Sequence, residues 1–213
     1  MHLQCNVIRG KNIESIHEVY AVVIDEDGKT IFSSGNPNKQ TCIRSSLKPF
    51  QASASILAGA TESAGFTSEE IALMCASHNG EEIHVQKVMG MAKKLGLKAR
   101  HYECGSHAPH DKSTRESARK LNKIFTPFHN NCSGKHLAML SGCLASKMRY
   151  ANYVDYDHPY QKLIRNSLEY FTESLIKQKC IGVDGCNAPQ YAFSINDLSN
   201  AMINLINKKE IKN

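Results

Sequence analysis

The spacing of apolar and polar positions changes along this chain, and each change marks an element. Val19-Tyr20-Ala21-Val22-Val23-Ile24 is a continuous apolar run, Asp25-Glu26-Asp27-Gly28 a polar turn and Thr30-Ile31-Phe32 a return strand, so residues 18–34 read as a β-hairpin. Gly35-Asn36-Pro37-Asn38 breaks that pattern, and from about Ser45 the period becomes helical. Pro49 is tolerated only in a first turn, which pins the helix start close to Ser45 and Ser46. Thr67-Ser68-Glu69-Glu70 is a capping box and signals a second helix. The apolar stretch Ile71 to Ala76 that follows ends at Ser77-His78-Asn79-Gly80-Glu81 and reads as a strand-to-loop end. Residues 82–95 predict a helix closed by Gly96, residues 102–110 a polar loop, and Asp111 to Lys123 an exposed helix. Leu137-Ala138-Met139-Leu140 belongs to a helix that Ser133 or Asn131 could cap. Helices of about 160–177 and 195–207 flank Ile181-Gly182-Val183, and the chain looks frayed from Asn207 onward. The pattern predicts an α/β (α+β), helix-rich fold over residues 1–213 as a single domain, with one sheet begun by the hairpin.

Composition narrows the class without naming it. A hydrophobic content of 41% and a charged content of 22% over 213 residues suit a soluble globular chain with a real core. The formal charge of +6 is mild, and apart from Lys208, Lys209 and Lys212 the basic residues are scattered, which argues against a nucleic-acid partner. No apolar run approaches the roughly 20 residues of a membrane span. The N-terminus lacks the order of a signal peptide, so a cytoplasmic location is the expectation. Eight cysteines then read as reduced thiols, and the absence of any Cys-x-x-Cys pair excludes a zinc ribbon or thioredoxin-like site.

The chemistry gathers in a few clusters. Ser45-x-x-Lys48 puts a serine at a helix start with an amine one turn on; a weak nucleophile needs such a neighbour, partly neutral, to take its proton. Ser77-His78-Asn79-Gly80-Glu81 offers donors directly after an apolar segment, and a hydrogen-bonded turn closed by Gly80 explains it equally well. His129-Asn130-Asn131-Cys132-Ser133-Gly134-Lys135-His136 sets a thiol near a helix N-terminus, where dipole and free N–H groups favour thiolate. With Asp184-Gly185-Cys186 it supports three readings: Cys132, Lys135 and Cys186 converging on a soft metal, a Cys nucleophile primed by Lys135 and a histidine, or two buried structural cysteines. A lysine ligand is unusual, since its amine must be neutral to donate.

In order, Arg44-Ser45-Ser46-Leu47-Lys48-Pro49, Cys75-Ala76-Ser77-His78-Asn79-Gly80-Glu81, Glu103-Cys104-Gly105-x-His107, the octet, Asp157-His158-Pro159 and Asp184-Gly185-Cys186-x-Ala188-Pro189 resemble the asparaginase II family, the rhizobial-type L-asparaginases. The resemblance implies a fold similar to serine β-lactamases and glutaminases, hydrolysis of L-asparagine to aspartate and ammonia, and a possible homodimer. It implies Ser45 as nucleophile, Lys48 as base and Ser77 as a proton relay or polarising group, with Arg44, His78, Asn79, Asn131, Gly134 and Asp184 as substrate-binding candidates. It implies zinc held by Cys132, Lys135 and Cys186, Asp184 standing beside them. Family members are longer, and their C-terminal part carries further strands and a lysine that pairs with the active-site serine. Because this chain stops at Asn213, the resemblance leads us to expect a domain incomplete at its C-terminus, with the hairpin's sheet edge exposed. The alternative to a working enzyme is a remnant that binds zinc or asparagine without turnover.

Overall fold

In the computed structural model, which describes residues 2–207, strand pairing starts earlier than the apolar runs indicate. Strands β1 (Leu3–Arg9) and β2 (Asn12–Val19) pair antiparallel around Gly10, whose φ of +62° suits a residue without Cβ. The register shifts between Val7 and Ile8, which face Ser15 and Ile13, and both strands are exposed along nearly their whole length, so no buried face imposes the period of two that would betray a strand. The hairpin read at residues 18–34 is present as β3 (Ala21–Ile24) and β4 (Thr30–Ser34), with Ala21 opposite Ser34. A three-stranded sheet takes β5 (Gln40–Cys42), β7 (Pro189–Ser194) and β6 (Ile181–Val183) in the order β5-β7-β6. The lysines Lys208, Lys209 and Lys212, and the fraying expected beyond Asn207, lie outside the described residues.

Two compact units share the chain. The first takes the residues up to Ile43, Glu169–Ile181 and those from Tyr191 onward. Its helix α8 (Ile195–Asn207) packs against β3 and begins at a capping box: Ser194 Oγ accepts from the Asp197 N–H at 3.0 Å, and Asp197 Oδ2 accepts from the Ser194 N–H at 3.2 Å.

The second unit, Arg44–Leu168 and Gly182–Gln190, holds all the predicted chemistry. It comprises α1 (Lys48–Leu57), α2 (Ala60–Ala64), α3 (Ser68–Met74), α4 (Glu82–Lys94), α5 (Lys112–Lys120), α6 (Ser133–Ala145) and the start of α7 (Pro159–Thr172). Helix α6 is buried on every side from Ser133 to Cys143, and α1, α2, α3 and α4 pack around it. Tyr160, Ile164 and Leu168, one turn apart on α7, are fully buried.

Three sequence readings change here. The hairpin does not begin a larger sheet: among the described residues β3–β4 is a two-stranded sheet of its own. Ile71 to Met74 is helical rather than a strand: Thr67 Oγ1 accepts from the Glu70 N–H at 3.3 Å while Glu70 Oε2 accepts from the Thr67 N–H at 2.8 Å, and that capping box carries the helix to Met74. Helix α6 is capped by neither Ser133 nor Asn131. Ser133 is already its first residue and Cys132 its N-cap, whose N–H donates to Asn130 Oδ1 at 2.8 Å. The mixed, helix-rich class is as expected. Among the described residues no helix is long and apolar enough to cross a membrane.

Candidate functional site

Ser45 stands in the 3-10 turn Arg44–Leu47 that leads into α1, and Lys48 is the first residue of that helix. Arg44, at φ +49°, sits in the left-handed region that non-glycine residues avoid, a local strain beside the serine. Lys48 is only 2% exposed. Its Nζ donates to Ala76 O at 3.0 Å, to Ser77 Oγ at 2.5 Å and to Asn131 O at 3.5 Å. Ser77 Oγ in turn lies 2.9 Å from Ser45 Oγ. Lys48 therefore reaches Ser45 through Ser77, which is delivered by the end of α3. Burial pushes the Lys48 amine below its usual range, against the Cys132 thiol, which raises it.

That thiol joins the two clusters into one. Lys48 touches Cys132 through its side chain, and the ligand atoms of Cys132, Asp184 and Cys186 all lie within 4.8 Å of one another. Lys135 Nζ, one turn into α6, is 2.9 Å from Cys186 Sγ. The hydrogen bond between the two thiols pushes the Cys186 thiol down, helped by His136 and Lys135, while that bond and burial push the Cys132 thiol up. Two sulfurs, a carboxylate and an amine form a donor set that could hold a metal ion.

The substrate-binding candidates divide. Arg44 Nη2 pairs with Asp184 Oδ1 at 2.9 Å, the arginine exposed and the carboxylate mostly covered. Asn131 lends its carbonyl to Lys48 and to the His78 N–H. Asn79 is exposed, its carbonyl accepting from the Asp111 N–H. His78 is buried, with Nε2 on Ser133 Oγ at 2.7 Å and Nδ1 accepting from the Gly80 N–H at 3.1 Å. Burial, helped by His84 and Lys48, lowers its pKa to about 4. Gly134 serves packing, since a Cβ there would stand 2.2 Å from Leu73 O.

Several supporting residues receive no role in the reading by motif. Asn130 bridges the Cys104 carbonyl and the Cys132 N–H, each at 2.8 Å. His107 Nε2 accepts from the Asn131 N–H at 3.1 Å. Tyr153 hydrogen-bonds His136 from outside every motif. Asn130 and His107 had a signal, since both fall inside conspicuous polar runs; Tyr153 had none.

The model of the family described as L-asparaginase II matches residues 5–213. A comparison with the curated proteins returns no match.

Proposed function

The chain belongs to the L-asparaginase II family, and from that premise we propose that it hydrolyses the side-chain amide of L-asparagine through Ser45 beside a zinc site. The observation that carries this reading is the hydrogen-bonded chain from Lys48 to Ser77 to Ser45, set against a pair of thiols.

In this reading a neutral Lys48 takes the Ser77 proton as Ser77 takes that of Ser45. Ser45 Oγ forms a bond to the amide carbon. The proton returns along the same chain to the amide nitrogen, the C–N bond breaks, and ammonia leaves an ester on Ser45. Water then gives a proton to the chain and adds to the ester carbon; aspartate departs as Ser45 recovers its proton. The lowered pKa of Lys48 supports the first step, because a buried amine is neutral more of the time. The exposed Arg44 guanidinium offers a cation to the substrate's α-carboxylate and Asp184 an anion to its α-ammonium.

Cys132, Lys135 and Cys186 would hold zinc, with Asp184 beside them; two thiolates and nitrogen are a set zinc accepts. Bound there, zinc would supply a Lewis acid that anchors and polarises the substrate.

Ammonia release from L-asparagine, assayed with zinc content, tests the proposal. Ser45→Ala should lower turnover by roughly 10^4-fold while keeping zinc near equimolar. Cys132→Ala and Cys186→Ala should each lose the metal. A soluble, zinc-loaded chain that binds asparagine without releasing ammonia would instead establish the non-catalytic reading.

A further inference from the structure

His136 lies on the buried face of α6, fully inaccessible, and its two ring nitrogens have unequal surroundings. Nδ1 is 2.6 Å from Tyr153 Oη. Nε2 is buried and finds no hydrogen-bond partner of ordinary geometry. Its acting neighbour is the Cys186 side chain, and the two affect each other as hydrogen-bonding groups.

The proton on the imidazole can be placed by following the chain of donors. The Glu103 backbone N–H, which can only donate, gives its proton to Tyr153 Oη at 2.9 Å. Tyr153 is itself fully buried. Were Nδ1 protonated, the phenol would receive two donors, leaving its own proton in a dry interior without an acceptor. The phenol therefore donates to Nδ1, and the ring's proton sits on Nε2. A buried N–H on Nε2 needs an acceptor in turn.

We propose that Tyr153 locks His136 as its Nε2–H tautomer and that this N–H donates to the Cys186 sulfur, making His136 a positioning residue for that side chain. Cys132, Asp184 and Cys186 converge within 4.8 Å and leave His136 out of the ligand set, which fits a donor to sulfur rather than a metal ligand. An N–H on a thiolate draws charge from the sulfur and fixes the direction of its remaining lone pairs. Glu103, Tyr153, His136 and Cys186 then form one line of hydrogen bonds, the first link a backbone amide that cannot reverse it. The role at a metal rests on the zinc reading above; the tautomer does not.

Long-range proton–nitrogen correlation spectra of the full chain with nitrogen-15-labelled histidine read the tautomer directly, without and with zinc. The His136 ring, assigned by its disappearance in His136→Gln, should show Nε2–H and a bare Nδ1 in both states. Tyr153→Phe should admit the Nδ1–H form. In the cobalt-substituted protein, His136→Leu should move the sulfur-to-metal charge-transfer band to lower energy and weaken zinc about 10- to 100-fold by chelator competition. His136→Gln, which retains an N–H, should hold the band near its original place. Nδ1–H in the unaltered chain, or Nε2 shifted by direct metal ligation, would overturn the assignment, as would an unmoved band in a folded His136→Leu. If His136→Leu does not fold, the spectra of the unaltered chain and Tyr153→Phe still decide. A chain in the Nε2–H form that takes up no stoichiometric metal would remove the zinc reading and leave the hydrogen bond to Cys186 standing.

Discussion

The Gly80 N–H points at His78 Nδ1, so the ring proton of this buried histidine lies on Nε2, facing Ser133 Oγ. Its folded pKa of about 4 lies below the 6.5 of a free histidine, so the unfolded chain takes up a proton first as pH falls. The stability this neutral ring permits above pH 6.5 is lost progressively down to pH 4, by about 3 kcal/mol in all. Urea midpoints measured between pH 7 and 4 should fall steeply for the unaltered chain and less for His78→Gln; equal slopes would refute the role given to this ring. At this scale much of the site was legible. Ser45, Lys48, Ser77, Cys132, Lys135 and Cys186 stood out as candidates by residue type and spacing, beside structural readings that fitted Ser77 and the two cysteines as well. The asymmetric surroundings of His78 and His136 were not legible, because Ser133 and Tyr153, which complete them, come from elsewhere in the chain even though the Gly80 N–H is local.

Elements carry their own signals where the cause is local. The box at Thr67 and Glu70 was readable since its hydrogen bonds span three residues. The β1–β2 hairpin was not, because both strands are exposed along nearly their whole length and no buried face imposes alternation. The apolar run after Thr67 looked like a strand, and the cap decided otherwise by nucleating a helix. That helix matters to the site, for α3 ends just before Ser77 and lies against α6 where Gly134 lets the two backbones approach. A methyl at Gly134 would press on Leu73 O, backbone that cannot swing aside. Gly134→Ala should thus cost about 1–3 kcal/mol and displace Ser77 from Lys48. Thermal unfolding and ammonia release should drop together; a variant of unchanged stability would show that the two helices have slack.

On the scale of the whole molecule, the apolar surface is unevenly covered. In the first unit Ile8, Ile13 and Ile16 on β1 and β2 are 63%, 56% and 58% exposed, and β1–β2 and β3–β4 each stand as two-stranded sheets. Such ribbons are marginal alone and present unpaired edges. The purified chain should therefore bind a hydrophobic dye in its native state. Ile8→Lys with Ile16→Lys should reduce that binding and any self-association. Dye binding that does not change would place the exposed apolar surface elsewhere.

By itself the sequence determined the helix-rich class, the hairpin at residues 18–34, the position of most helices and which residues are candidates for the chemistry. Those follow from periodicities, caps and residue chemistry that act over a few positions. Tertiary structure alone decided that Lys48 turns to Ser77, 29 positions on, that Cys186 meets Lys135 across 51 positions, and that Lys48 leans on Cys132, so that two clusters become one. A helix's own period fixes which way a side chain leaves it; what it meets depends on how α1, α3 and α6 pack and on where the Asp184–Cys186 turn lies.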